Sequence, residues 1–147
     1  MRNPFGEGLI VGIIGVASIN IAEFIMMALN ISETPLWEAG GIVFLSEDAL
    51  QTTLGFAIGL LSHILVGIAV GLAISYYIYF TGTDFIVLKA TGVSLAALFF
   101  VLGILFPLRG LAQGMRDSPN DVLSAFIVHF VFGIVAGYTV KYLQAKS

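Results

Sequence analysis

An all-α integral membrane protein, a bundle of four transmembrane helices, is predicted by three features of the chain. Four nearly unbroken apolar stretches each reach the ~20 residues that an α-helix needs to cross a hydrocarbon core about 30 Å thick. Of the 147 residues, 59% are hydrophobic and 10% charged, where soluble domains carry about a quarter charged. Small residues also recur at every fourth position inside the stretches, the pattern by which helices approach one another in lipid.

The first span covers about residues 8–29. The sequence Asn30-Ile31-Ser32-Glu33-Thr34-Pro35 follows, and Pro35, which cannot continue a helix, is expected to end it. Residues from about 36 to 45 are too few to span and include Trp37, so they suit an interfacial segment at headgroup level. Ser46 before Glu47 and Asp48 reads as an N-cap with an acidic first turn, which starts the second span at about residue 47 and carries it to about 80. That is longer than a bilayer needs, so the helix must tilt or project, and Tyr76, Tyr77 and Tyr79 anchor its far end. A tight turn leads to the third span, about residues 85–106, with Lys89 placed to snorkel and Pro107 as its stop. Ser118-Pro119-Asn120-Asp121 then supplies a cap, a proline at the first helical position and an acid at the third, opening the fourth span over about residues 119–142. The whole chain reads as one membrane domain.

Charge sets the expected orientation. Arg2, Lys89, Lys141 and Lys146 fall on one side and Arg109 and Arg116 on the other, while residues 30–53 hold four acids and no base. Both termini are therefore expected to be cytoplasmic, in the cell membrane. Arg109 and Arg116 would face Glu33, Glu38, Glu47 and Asp48 across the outer surface, as loop-to-loop ion pairs or as a contact for an anionic headgroup or ligand. No basic run tracks phosphates, so nucleic acid is not expected as a partner. There is no cysteine, and no nucleophile elbow, phosphate loop or HExxH motif, so the reading is non-enzymatic.

Gly55, Gly59, His63, Gly67, Gly71 and Ser75 form one stripe along the second span, and Ala125, His129, Gly133 and Gly137 one along the fourth. Gly8 and Gly12 begin another on the first. Helix packing is the plain reading, with room for a flat ligand the alternative. The shared spacing of His63, Gly67, Gly71 and His129, Gly133, Gly137 suggests a duplicated helical hairpin with its halves as parallel repeats.

Glu23, His63 and His129 lie where lipid should exclude them. Counted along the helices, Glu23 sits ~9 Å and His129 ~10–15 Å from the outer ends, with His63 at a comparable depth and Asn20 on the face of Glu23. Such groups should turn inward and pair. Three readings compete: mutual hydrogen bonding that sets helix register, with Glu23 bonded to Asn20 or a histidine; a two-imidazole, one-carboxylate site for a transition metal or a proton relay; and His63 with His129 as axial ligands of haem b. Because both histidines sit in packing stripes, the imidazoles are expected to meet across an interface of the second and fourth spans. Partners beyond the bilayer would be further copies of the chain or another membrane protein.

With these pieces placed, the chain resembles the small bacterial YqhR-type membrane proteins. The likeness rests on Asn30-Ile31-Ser32-Glu33, on Leu54-Gly55 to Tyr77, on Leu105-Phe106-Pro107-Leu108, and on Phe132-Gly133 with Gly137-Tyr138. It implies a four-span bundle in the cytoplasmic membrane of a sporeforming-type bacterium, and no activity, substrate or catalytic residue.

Overall fold

The four apolar stretches become four long helices in the computed structural model, which describes residues 3–146; Arg2, counted above with the inner charges, lies outside them. In chain order the elements are α1 (Pro4–Ala28), α2 (Leu36–Gly41), α3 (Glu47–Leu50), α4 (Thr53–Thr81) and α5 (Ile86–Leu98). A π-helical segment, Phe99–Leu105, continues α5 into α6 (Phe106–Arg109), and α7 (Gln113–Asp117) and α8 (Pro119–Gln144) complete the chain. Four helices are long and apolar enough to cross a membrane: α1, α4, the continuous rod Ile86–Arg109, and α8. Side chains such as Phe24, Phe80 and Leu108 are exposed on their outer faces, as lipid contact requires.

Three boundaries differ from expectation, each for a local reason. Pro35 does not end α1. Asn30 does, in a left-handed conformation (φ 55°), with Ile31 N–H bonded to Met26 O and Asn30 N–H to Met27 O, the paired bonds of a Schellman stop. The second span starts not at Glu47 but at Thr53: the hydroxyl of Thr52 donates to Ala49 O and accepts from Gly55 N–H, so α3 folds back on Gly55 as a separate turn. Pro107 does not close the third span. The π-helical turns before it widen the backbone where a proline ring would otherwise strike the carbonyl four residues earlier, and the rod runs on to Arg109, ending at left-handed Gly110.

Two antiparallel hairpins, α1 with α4 and the Ile86–Arg109 rod with α8, form the bundle, and α1 also packs along α8. A Cβ on Gly71 would lie 2.3 Å from Gly12 N, and one on Gly133 would lie 2.4 Å from Thr91 Cα, so only glycine permits these backbone contacts. The stripes of α4 and α8 thus pack on their own hairpin partners, not on each other. The stripe of α4 is also divided: Gly67 and Gly71 meet α1, whereas Gly59 lies under Trp37, and Gly40 of α2 abuts His63. The short segment expected at the interface is therefore a helix laid along α4 beside its second and third turns. At the opposite end, Lys89 pairs with Asp84 (3.3 Å) and donates to Thr81 O and Gly82 O, covering the negative end of α4.

Candidate functional site

His63 and His129 each stand ten residues into their helices from the long-loop end, ~15 Å along the axis, and both line one cavity of about 270 Å³. They do not meet across a packed interface, because α4 and α8 barely touch. The cavity fills the space between them. Its walls come from every span: Val16 and Ile19 of α1, Gly67 of α4, Ser94 and Leu98 of α5, Phe132 of α8, with Leu36 and Gly40 of α2 beside them. The π-helical segment contributes Val101, Leu102 and Leu105, so the irregular stretch of the third span is also cavity wall, a frequent association of π turns. Val43, Phe44 and Val66 line it while about half or more of each is exposed; the cavity is open at the side.

Its polar equipment is small. His129 Nδ1 donates to Ala125 O at 2.8 Å, one turn back, and the Ser94 hydroxyl donates to the His129 carbonyl at 2.8 Å. His63 is 9% exposed, and its Nε2 is buried with no hydrogen-bond partner. No charged residue among those described lines the cavity.

Glu23 is elsewhere engaged. Its Oε1 accepts from Leu36 N–H at 2.5 Å, the first backbone donor of α2 after Pro35, which has none. A carboxyl from α1 thus caps α2, replacing the expected bond to Asn20 or an imidazole; Asn20 itself is half-buried, one turn away. Among the described residues no group of three His, Cys, Asp or Glu side chains is placed to hold a metal ion, and no Lys or Arg lines the cavity to receive haem propionates. Arg109 is exposed and Arg116 donates to Leu111 O at 3.5 Å; neither pairs with Glu33, Glu38, Glu47 or Asp48.

The residue that sequence reasoning missed is Asp121. Read there only as an acid of a capping sequence, it is 3% exposed and gathers four donors: Oδ1 accepts from Ser32 Oγ (2.9 Å), Glu33 N–H (2.8 Å) and Thr34 N–H (3.4 Å), and Oδ2 from Thr34 Oγ1 (3.0 Å). The run Ser32-Glu33-Thr34 was the available signal, since such a turn presents backbone and hydroxyl donors together. Asp121 from α8 and Glu23 from α1 therefore hold the two ends of the stretch that places α2 over the cavity.

No protein-family model matches the chain, and neither a curated protein nor a solved structure matches it.

Proposed function

We propose that this is a non-enzymatic membrane component that binds a small, largely apolar ligand inside its bundle. The observation that carries the reading is the cavity itself. Close packing leaves few voids larger than a water molecule in a folded protein, and this one is framed by all four spans, with two imidazoles and the Ser94 hydroxyl as its polar side chains and a side opening toward lipid. A ligand dissolved in the membrane could enter without crossing a headgroup layer. Glu23, the third group of the metal and proton-relay readings, is committed to Leu36, and the haem reading finds no lysine or arginine in the wall for its propionates.

The ligand reading is tested with naphthalene as probe. A saturable upward shift of the thermal transition in detergent is expected for the wild type, and none for Ala97→Phe or Val101→Phe, which fill the cavity. Equal shifts in all three proteins would overturn it.

The likeness to YqhR-type proteins supports only placement in a bacterial cytoplasmic membrane. We place both termini in the cytoplasm, on the lysine count and on Lys141 and Lys146, which lie over the rings of Tyr138 and Tyr142 at 5.6 and 4.3 Å as interfacial anchors. A cysteine at Gln113 should then label from outside and one at Ala145 only after permeabilisation. The equivalent surroundings of Gly67 and Gly71 against α1 and of Gly133 and Gly137 against α5 support a duplicated hairpin.

A further inference from the structure

We propose that the ligand is an uncharged, membrane-soluble ring compound bearing a hydroxyl group, of the phenol or hydroquinone class, with that hydroxyl received by His63 and His129. This rests on the ligand-binding reading above and names the chemistry of its occupant.

Charge narrows the class first. With no aspartate, glutamate, lysine or arginine in the wall, a phosphate, a carboxylate or an ammonium group would be desolvated without a charged partner, which sets phospholipids, fatty acids and amines aside. Size and shape come next. A dry cavity of ~150 Å³ accepts benzene, so about 270 Å³ suits two fused rings or one substituted ring. Phe44, Phe106 and Phe132 in the wall offer ring edges and faces to an aromatic guest. The side opening at Val43 and Val66 lets any apolar tail remain in lipid.

The imidazoles select the polar group. Ala125 O can only accept, so Nδ1 of His129 carries the proton and the Nε2 of its neutral ring is left as an acceptor. His63 has the opposite freedom: its Nε2 is unpartnered, and the broad torsion of an imidazole ring lets it turn a nitrogen toward the cavity. A hydroxyl can donate to His129 and accept from His63. A ketone or an ether can only accept, so it leaves His129 unserved. Ser94 does not compete, since its hydroxyl is engaged by the His129 carbonyl.

The experiment compares 1-naphthol, 1-methoxynaphthalene and naphthalene by titration calorimetry on the detergent-purified full chain, with Ala97→Phe as the reference for partition into micelles. All three should bind the wild type saturably, 1-naphthol about tenfold more tightly than the other two, the gain expected of a bond to an otherwise unpaired buried group. His63→Ala, which leaves the bond to His129, should remove part of that advantage and leave naphthalene affinity within about twofold, while His63→Gln, which keeps a donor, should restore some of what is lost. The single tryptophan, Trp37 on α2, reports by its emission that each variant is folded. Equal affinities of 1-naphthol and naphthalene for the wild type would overturn the hydroxyl assignment and leave the cavity reading standing. Binding no different from that of Ala97→Phe for every probe would overturn both.

Discussion

At the termini end of the bundle, Val11, Ile74, Ile78, Ala90, Ala136 and Val140 are completely buried, while at the long-loop end the same four spans stand apart around a cavity. What differs is the partner of α4: near the termini it lies directly on α1 through Gly12 and Gly71, and near the long loops it lies on the short helix α2 through Gly40 and Gly59. A six-residue helix cannot fill the space that a full span fills. Dispersion and close backbone approach hold the first half together, whereas the other, besides buried side chains such as Phe106 and Val128, uses two buried carboxyls to fasten the loop carrying α2. The tightest backbone contacts and the cavity thus fall at opposite ends of one small bundle.

The sharpest way to break this contrast is to put the same bulk into each half. Gly71→Leu drives a side chain into the Gly12 backbone and should cost at least about 3 kcal/mol, seen as loss of the folded peak in size-exclusion chromatography. Ala97→Leu in the cavity wall should cost under about 1 kcal/mol or stabilise slightly. A comparable loss from Ala97→Leu would mean that the long-loop half is as tightly packed as the other.

Asp121→Ala should have the next largest effect, about 2–4 kcal/mol, since it strands four donors. Its distinguishing sign is local: backbone hydrogen exchange over residues 29–45 should accelerate, while exchange around Ile74 and Ala136 stays protected. Uniform acceleration along the chain would show that the loop is not a separate unit.

Glu23→Gln keeps an acceptor for Leu36 N–H, so it should cost about 1 kcal/mol or less, against about 1–3 kcal/mol for Glu23→Ala. If Glu23→Gln proved as damaging as Glu23→Ala, the carboxylate charge itself would be required, and the proton-handling reading would return.

The smallest effect lies at the turn that joins the two hairpins. A hydrogen bond to its own backbone and the neighbouring Lys89 ammonium hold the Asp84 carboxyl below its ordinary value of 3.8. A depressed carboxyl stabilises the folded state above its unfolded value, and this is lost as pH falls through the folded one. A slight decline in thermal stability confined to pH below 3.8 is therefore expected, and Asp84→Asn should remove it. An Asp84-dependent change nearer neutrality would contradict the assignment.

Much of the fold was legible because lipid imposes it. Length and apolarity demand four helices, and Gly55, Gly59, Gly67, Gly71, Gly133 and Gly137 marked the faces that pack. The site was legible only in part. His63 and His129 stood out because ionisable groups are costly at that depth, but Glu23 was grouped with them on depth alone, and its true partner, the backbone N–H of Leu36, leaves no mark in composition or periodicity. Asp121 was hidden by the capping role that its position also satisfies.

Periodicity and the hydrocarbon thickness are local constraints, readable residue by residue, so the number of spans, their small-residue faces and the conspicuous histidines follow from the chain alone. Which stripe meets which helix is decided by the three-dimensional competition for those faces. There α4 and α8 each pack on α1 and α5 and so face one another diagonally across the cavity, α2 covers half of the α4 stripe, and the π turns before Pro107 form part of the wall. Those outcomes depend on contacts between residues far apart in the chain, such as Ser32 with Asp121, 89 positions away, and no pattern within a single helix encodes them.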